Sequence, residues 1–326
     1  MNILVTGGAG YIGSVTTESL IASGHRTVVL DNLAKGHRGA VHPEATFVEA
    51  DVRDGEAVRA ALREHEIEAV LHFAAYSLVG ESMSRPLSYF GNNSAATVEL
   101  LTAMSGEGVR KFVLSSTAAL FGTPDELPIA EDATIRPASV YGESKYLTER
   151  MLGWLARTTG LGYATLRYFN AAGASERFGE DHRPETHLIP LVLEVAQGHR
   201  QRIEVFGDDY ETPDGTNVRD YIHVCDLAEA HVLAVEALAE GEQRAYNLGN
   251  GQGFSVLEVI EACRRVTGCE IPAKVVARRA GDPAILVADS RRIGRELGWR
   301  ATRPALEEIV SSAWEWRLRH PHGYGD

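Results

Sequence analysis

Cysteine is scarce in this sequence, with only Cys225, Cys263 and Cys269 among its 326 residues. The number is odd and no two cysteines form a C-x-x-C pair, so neither a disulfide framework nor a thiolate zinc site is indicated. The chain also lacks the apolar run of about 20 residues that a membrane span needs. We expect no secretory signal, because the first residues already have the pattern of a strand. These features predict a cytoplasmic protein without a membrane segment.

Positive charge is also in short supply. The 32 Lys and Arg residues are outnumbered by 45 Asp and Glu residues, which gives a net charge of −13. This balance disfavours a nucleic-acid partner or an anionic membrane surface, although it leaves room for a local basic pocket that binds phosphate. With 44% apolar and 24% charged residues, the chain has the composition of a folded protein.

Short β-rich segments alternate with segments of helical spacing through the first half of the chain. This rhythm predicts an α/β fold with a doubly wound parallel sheet of the Rossmann type, covered by helices on both faces. The expected strands are Ile3–Thr6, Thr27–Leu30, Thr46–Glu49, Ala69–Phe73, Phe112–Ser115 and Ala164–Tyr168.

Two long polar loops, 171–186 and 207–215, interrupt the regular pattern in the second half. Loops of this length in a compact protein are usually functional. We therefore predict a dinucleotide-binding domain over residues 1–169, to which elements from about 218–248 return. A smaller C-terminal α/β lobe that binds substrate is expected over residues 170–217 and 249–326.

The first strand is followed directly by Thr6-Gly7-Gly8-Ala9-Gly10-Tyr11-Ile12-Gly13. Glycines at these spacings permit a tight turn and let backbone N–H groups approach a pyrophosphate at a helix N-terminus. Such a motif is weak alone, but its place between a strand and an amphipathic helix supports a dinucleotide cradle.

Acidic and small residues end the next strands. Asp31 follows the second strand, where a carboxylate accepts both ribose hydroxyls and repels a 2′-phosphate, which favours NAD over NADP. Asp51 ends the third strand, near the expected adenine edge. The segment Phe73-Ala74-Ala75 ends the fourth strand and places small residues beside the cofactor.

Tyr141 and Lys145 are spaced four residues apart, so on a helix both side chains project from one face. A free phenol has a pKa of about 10. A neighbouring ammonium and an oxidised nicotinamide ring favour the phenolate, which makes Tyr141 a candidate base. Thr117, at the end of the fifth strand, is the candidate third member and faces the same crevice.

These motifs resemble those of the extended short-chain dehydrogenase/reductase family, and of the UDP-glucose 4-epimerases within it. The matching segments occur in order over about residues 3 to 290. They are TGGAGYIG (6–13), LDNL (30–33), HFAA (72–75), VGES (79–82), NN (92–93), SSTA (115–118), YGESK (141–145), LRYFNAAGA (166–174), VRDYIHVCDLA (218–228), YNLGNG (246–251) and RRAGDPA (278–284).

The resemblance implies a set of contacts for each ligand. Together with the motifs above, it gives as NAD-contacting residues Gly7, Gly10, Tyr11, Ile12, Gly13, Asp31, Asn32, Asp51, Val52, Phe73, Ala74, Ala75, Asn92, Thr117, Tyr141, Lys145 and Phe169. It gives as residues contacting the nucleotide sugar Thr117, Tyr168, Asn170, His187, Leu188, Phe206, Arg219, Arg279, Asp282 and Leu286. The two arginines suit a diphosphate.

Four positions depart from the family pattern. Thr117 replaces a serine but keeps the hydroxyl, and Ser77 replaces a lysine that several relatives carry near the cofactor. His187 replaces an asparagine that meets the substrate. Leu286 lies at the position that resembles the family's size gate, where its intermediate bulk leaves open whether N-acetylated sugars are accepted.

The resemblance implies reversible epimerisation at C4 of a UDP-hexose, with NAD as a retained cofactor, in galactose and nucleotide-sugar metabolism. A UDP-N-acetylhexosamine 4-epimerase is the alternative. A 4,6-dehydratase or decarboxylase is disfavoured because Thr117-Ala118-Ala119 contains no carboxylate, and a non-catalytic dinucleotide sensor need not keep Tyr141 and Lys145 together. Family members pair through helices here spanning about 88–107 and 139–157, which implies a homodimer.

No metal site is expected from the histidines. The sequence around His182, His187, His223 and His231 shows no helical H-E-x-x-H and no evident carboxylate-supported spacing.

Overall fold

Strands and helices alternate along the chain, as the sequence pattern predicts. The computed structural model describes residues 1–279 and 281–325. The strands are β1 Asn2–Thr6, β2 Arg26–Asp31, β3 Thr46–Glu49, β4 Ala69–His72, β5 Lys111–Thr117, β6 Gly162–Tyr168, β7 Asn170–Ala172, β8 Ile203–Phe206, β9 Val218–His223, β10 Gln243–Leu248, β11 Gly253–Ser255, β12 Ala273–Val276 and β13 Ile285–Leu286.

The α-helices are α1 Tyr11–Ala22, α2 Gly55–Glu64, α3 Val79–Ser84, α4 Pro86–Tyr89, α5 Ala96–Gly106, α6 Val140–Thr159, α7 Leu188–Ala196, α8 Val224–Ala237, α9 Val256–Thr267, α10 Arg291–Leu297 and α11 Leu306–Arg319. A π-helical turn, Phe90–Ala95, joins α4 to α5. Among the described residues, no helix is both long and apolar enough to cross a bilayer.

Seven parallel strands form the large sheet, in the order β10-β6-β5-β4-β1-β2-β3. The chain winds outwards in both directions from β1, so the order reverses between β1 and β4. This is the doubly wound Rossmann arrangement that the sequence predicts. Its reversal point opens a crevice at the carboxyl ends of the strands, where ligands bind in such sheets.

Alternate residues of the central strands supply two apolar layers, one on each face of the sheet. Ile3 and Val5 are fully buried in a cluster that includes residues of α8, such as Leu227. Leu4 faces the other way and packs with residues of α2, α5 and α6, such as Leu100. Burial on both faces explains why the strands are continuously apolar rather than alternating.

The second half of the chain builds a smaller set of sheets. Strand β9 pairs with β7, β11 and β13, while β8 pairs with β12. Helices α7, α9 and α11 cover this region through a third apolar cluster. Helix α8 and strand β10 return to the large sheet, where β10 pairs with β6 and α8 packs under its central strands.

The buried carboxylate of Asp220 joins two segments of the chain to the smaller sheets. Asp220 on β9 accepts backbone N–H bonds from Asn250, Gly251 and Ala288, with N···O distances of 2.8 to 3.1 Å. Asn250 and Gly251 lie between β10 and β11, and Ala288 follows β13. One side chain on β9 therefore holds both of these segments in place.

Candidate active site

A cavity of about 470 Å³ lies at the carboxyl edge of the large sheet, at the reversal point. Its walls come from the ends of β1, β2, β4, β5 and β6, from the start of α6, and from the loop between β7 and α7. The topology therefore places the glycine turn, the strand-end residues and the candidate catalytic residues around one space.

The glycine turn approaches neighbouring backbone too closely for side chains at two positions. Gly7 has a φ of +74°, and a Cβ there would collide with the backbone of Ala74 at the end of β4. A Cβ at Gly13 would collide with the carbonyl oxygen of Gly7. Helix α1 begins at Tyr11 with no side-chain cap and no acidic residue in its first turn, so its N-terminal amides are available to an anion.

Asp31 ends β2 with its carboxylate held in place by the backbone. One oxygen accepts the Ala9 N–H at 3.0 Å and the other accepts the Leu33 N–H at 2.9 Å. Burial raises the pKa of this carboxyl, whereas the two amide bonds oppose the rise. Beside it, Asn32 donates to Asp51 at 2.7 Å, so the two predicted cofactor carboxylates line one side of the cavity. A nucleoside with free ribose hydroxyls fits this wall.

Helix α6 presents Tyr141 and Lys145 from its first two turns. Ser139 caps the helix by accepting the Gly142 N–H at 3.1 Å. The Lys145 ammonium donates to the Ser115 carbonyl at 2.9 Å. Burial lowers its pKa to about 8, a shift that the charge of Glu149 opposes. The ammonium is therefore charged at neutral pH, beneath the cavity.

The pKa of the Tyr141 phenol is raised, whereas the sequence predicted that it would be lowered. Burial raises the pKa of this phenol, and a hydrogen bond with the Thr117 hydroxyl opposes the rise. The described residues alone do not supply enough positive charge to favour the phenolate. The phenolate of Tyr141 therefore also needs the positive nicotinamide ring, which would stand over the same residues.

Helix α6 is fixed on the sheet by a buried ion pair that sequence reasoning missed. The Glu149 carboxylate meets the Arg167 guanidinium at 2.7 Å, and both side chains are less than 9% exposed. Ser116 also donates to Glu149 at 2.6 Å. Since Arg167 lies on β6 and Ser116 on β5, the pair locks the helix to both strands. No local motif marks these residues, because the partners are 18 and 33 positions apart.

Asn93 is a second positioning residue that the sequence did not single out for a role. Its side-chain amide bonds both backbone groups of Tyr76, at 2.8 and 3.0 Å, and also bonds Ser144 on α6 at 3.0 Å. It lies in the π-helical turn, where such irregularities often accompany functional sites. The Asn-Asn pair at 92–93 was the only signal for it.

The far end of the cavity contains an arginine that is already engaged. Arg219 donates to the Asp282 carboxylate at 2.5 Å and to the Pro283 carbonyl at 2.8 Å. Arg279 lies over the Phe206 ring at 3.9 Å from its centre. The Asp282 backbone N–H donates to the Arg279 carbonyl at 3.4 Å, so Asp282 links the two predicted diphosphate-binding arginines. An incoming phosphate would have to compete with Asp282 for Arg219.

Most predicted ligand-contacting residues line the cavity, and a minority do not. The residues that line it are Gly7, Gly10, Tyr11, Ile12, Gly13, Asp31, Asn32, Asp51, Val52, Phe73, Ala74, Ala75, Asn92, Thr117, Tyr141, Lys145, Tyr168, Phe169, Asn170, His187, Arg219 and Leu286. Those that lie outside the lining are Leu188, Phe206, Arg279 and Asp282.

Tyr168 lines the cavity, but its hydroxyl has a partner within the protein. That hydroxyl makes a short hydrogen bond with Nε2 of His231, whose Nδ1 lies 2.8 Å from the Leu227 carbonyl. The Nδ1 proton is donated to the carbonyl, so the Tyr168 hydroxyl donates to Nε2. Because its proton is donated to His231, the Tyr168 hydroxyl is left only as an acceptor for a substrate.

The four histidines noted in the sequence do not share a location. His223 caps α8 and His231 packs within the core. His182 and His187 lie together in the β7–α7 loop, where they meet Glu180 and Glu185. The expectation that no carboxylate supports these histidines is thus wrong for this pair, because Glu180 and Glu185 alternate with them in a loop rather than along a helix.

Residues 3–249 match the model of the NAD dependent epimerase/dehydratase family. A UDP-glucose 4-epimerase of Streptococcus mutans is 52% identical over 100% of this chain and 99% of its own. A crystal structure of a UDP-glucose 4-epimerase superposes with a TM-score of 0.96 at 49% identity, covering 99% of each chain. The Bifidobacterium longum UDP-glucose 4-epimerase, in complex with NAD⁺ and UDP, is 38% identical with a TM-score of 0.94, over 99% of this chain and 100% of that one.

The buried ammonium of Lys145 gives a testable pH dependence of stability. Its folded pKa of about 8 lies below the ordinary value of 10.5, so its burial costs free energy while it is charged. That cost is fully present below pH 8 and disappears as the pH rises towards 10.5, and it is on the order of 3 kcal/mol. Lys145→Met should therefore be more stable than the parent at pH 7 and lose most of this advantage by pH 10. Urea unfolding of both proteins at several pH values measures the difference, and a constant difference would contradict the assignment.

Proposed function

The chain belongs to the NAD dependent epimerase/dehydratase family, and from this premise we propose that it is an isomerase that interconverts UDP-glucose and UDP-galactose at C4. The cofactor is NAD, and the reaction passes through a 4-keto sugar in galactose and nucleotide-sugar metabolism. The observation that carries the proposal is the convergence of Thr117, Tyr141 and Lys145 with the glycine cradle on one cavity. Two relatives described as UDP-glucose 4-epimerases match 100% and 99% of this chain.

The residues of the cradle fit a dinucleotide. Gly7 and Gly13 have no room for a Cβ, the N-terminus of α1 is open, and Asp31 is oriented by Ala9 and Leu33. A carboxylate at the end of β2 accepts ribose hydroxyls and repels a 2′-phosphate, which favours NAD over NADP. When bound, NAD supplies reversible oxidation at C4 by taking up and returning a hydride, so no net oxidation occurs.

Three side chains handle the proton of the sugar. Tyr141 as phenolate takes the proton from the 4-hydroxyl and later returns it. Thr117 bonds the same oxygen and holds it near the phenol, since both residues line the same cavity. Lys145, charged at neutral pH and held by the Ser115 carbonyl, stabilises the phenolate and bonds the nicotinamide ribose.

The opposite end of the cavity retains the nucleotide while the sugar turns. Arg219 and Arg279 are suited to the diphosphate, and Asp282 holds Arg219 until the substrate arrives. An anchored diphosphate would let the 4-keto sugar turn over without leaving the pocket, so that either face of C4 could be presented to the cofactor. We assign this role to residues 170–217 and 249–326, as a substrate lobe beside the dinucleotide domain of residues 1–169.

The residues around Thr117 and Lys145 disfavour the competing functions. A dehydratase or decarboxylase uses an acid beside the strand-five hydroxyl, whereas here Ala118 and Ala119 follow Thr117. The Glu149 carboxylate of α6 is buried and paired with Arg167. A non-catalytic dinucleotide sensor would have no reason to bury a charged Lys145 at an energetic cost.

The decisive experiment is incubation of the purified protein with UDP-galactose, followed by measurement of UDP-glucose. The parent protein and Thr117→Ser should turn over, because both keep the hydroxyl. Thr117→Val should lose about a hundredfold in kcat, and Tyr141→Phe about a thousandfold.

Bound cofactor and thermal unfolding of each variant serve as controls for folding. Absence of UDP-glucose with the parent protein, or a stable 4-keto or pentose product, would overturn the proposed reaction. Full turnover by Thr117→Val would remove only the role given to that residue.

Leu286 lines the cavity and lies opposite Arg219 in the pairing of β13 with β9. A side chain of intermediate bulk there keeps a UDP-N-acetylhexosamine 4-epimerase as the second candidate. Leu286→Ala should raise kcat/KM for UDP-N-acetylgalactosamine relative to UDP-galactose by about tenfold, whereas Leu286→Tyr should lower it. Ile285→Ala is the matched control, because alternate strand residues face opposite sides. Equal ratios in all variants would remove the gating role.

We also propose that the protein is a cytoplasmic homodimer. Helices α5 and α6 bury Leu100 and Leu152 in one cluster and expose Val98 and Trp154 on their outer sides, the latter by 63%. Large exposed apolar side chains on adjacent helices are typical of a subunit interface. The three free cysteines accord with a reducing compartment. Cell fractionation, followed by detection of the protein in each fraction, tests the cytoplasmic location.

Light scattering of the purified protein tests the dimer. The parent should have twice the chain mass, and Trp154→Glu should weaken association by about a hundredfold. Leu318→Glu is the matched control, because Leu318 is 58% exposed on α11, away from these helices. A monomeric parent protein, or equal effects of the two substitutions, would contradict the proposed interface.

A further inference from the structure

The loop between β7 and α7 gathers four side chains of the kinds that bind metal ions. Glu180, His182, Glu185 and His187 each offer one ligand atom, and these atoms all lie within 4.8 Å of one another. The two carboxylates are on the inside, with side chains 8% and 5% exposed, and the two imidazoles are 29% and 40% exposed. The cluster is therefore a pocket with buried oxygens and accessible nitrogens.

The Nδ1 atoms of His182 and His187 both lie close to Oε1 of Glu180. Nδ1 of His182 lies 2.9 Å from Oε1 of Glu180, and Nδ1 of His187 lies 2.8 Å from it. The His187 Nδ1 is also 2.9 Å from Oε1 of Glu185. Since each Nδ1 carries at most one proton, two protons serve these three close contacts, and His187 has to share its proton between Glu180 and Glu185.

Glu185 provides an independent observation. Its Oε1 accepts the backbone N–H groups of Thr186 and His187, at 2.6 and 2.8 Å. Its Oε2 is buried and has no hydrogen-bond partner among the described residues, although it lies 3.9 Å from His182 Nδ1. A buried carboxylate oxygen without a hydrogen-bond partner is costly, and a cation bound between it and the His182 ring would satisfy it.

We propose that these four residues bind one divalent transition-metal ion, for which zinc is the best match. Two carboxylates balance the charge of the ion, and two imidazoles complete a tetrahedral set of nitrogen and oxygen ligands of the kind that zinc accepts. Calcium and magnesium prefer oxygen ligands alone. All four donors lie within eight residues of one loop, with the spacing E-x-H-x-x-E-x-H.

The position of the cluster defines its role as structural. His182 contacts the Tyr11 ring edge to face at 6.3 Å between centres, and the Tyr11 hydroxyl donates to Gly173 at the start of the same loop, at 2.6 Å. An ion here fixes the loop as a wall of the cavity beside the glycine cradle. The proposal does not depend on the reaction that the cavity performs.

The test is the metal content of untagged full-length protein, grown with added Zn²⁺ and dialysed without chelator. The parent and His199→Gln, which removes an exposed histidine outside the cluster, should retain about one zinc ion per chain. His182→Ala and Glu185→Gln should bind Zn²⁺ at least about a hundredfold more weakly, since even the loss of an outer-shell partner costs about 10- to 100-fold. Chelation should lower the Tm of the parent and of His199→Gln but not of the two cluster variants.

Replacement of the ion with Co²⁺ keeps the test decisive if a variant folds poorly. The parent protein should show the visible absorption of a tetrahedral cobalt site, which Zn²⁺ abolishes. A parent protein that holds no ion and gives no such spectrum would overturn the proposal and leave a hydrogen-bonded ion-pair cluster. Retention of zinc by both cluster variants would overturn it as well.

Discussion

The Lys145 ammonium lies buried beneath the cavity and donates to the Ser115 carbonyl at the end of β5. Burial lowers its pKa to about 8, so the protein keeps a positive charge where it is costly. That contact and the Glu149–Arg167 pair give α6 a single position on the sheet. The distance between Tyr141 and the glycine cradle follows from that position, and so does the width of the cavity between them.

The cavity combines two kinds of binding surface because it lies between two kinds of structure. On the large sheet, backbone groups and small residues dominate, since Gly7 and Gly13 leave no space for side chains. Towards the smaller sheets, long side chains dominate: Arg219 lines the cavity and is held by Asp282, whereas Arg279 lies over Phe206 outside the lining. The first surface suits a ligand that stays, and the second suits one that must enter and leave.

The β7–α7 loop connects these surfaces. It begins at Gly173, which accepts the Tyr11 hydroxyl, and the Asp181 backbone accepts from His37 at 2.8 Å. It ends at His187, directly before α7. A long loop would ordinarily be mobile, so its dense polar contacts and the buried carboxylates of Glu180 and Glu185 show a segment built to hold one shape. The wall of the cavity depends on that shape.

The sequence by itself determined the features that are local. Glycine spacing after a strand, Asp31 at a strand end, and Tyr141 and Lys145 on one helical face follow from backbone geometry within a few residues. Only the tertiary structure decided the pairing of Glu149 with Arg167, the bond of Tyr168 to His231, and the raised pKa of Tyr141. Each of these depends on burial and on partners distant along the chain. Even the cluster at 180–187, though local, needed the folded loop, because no regular helix or strand relates its alternating residues in space.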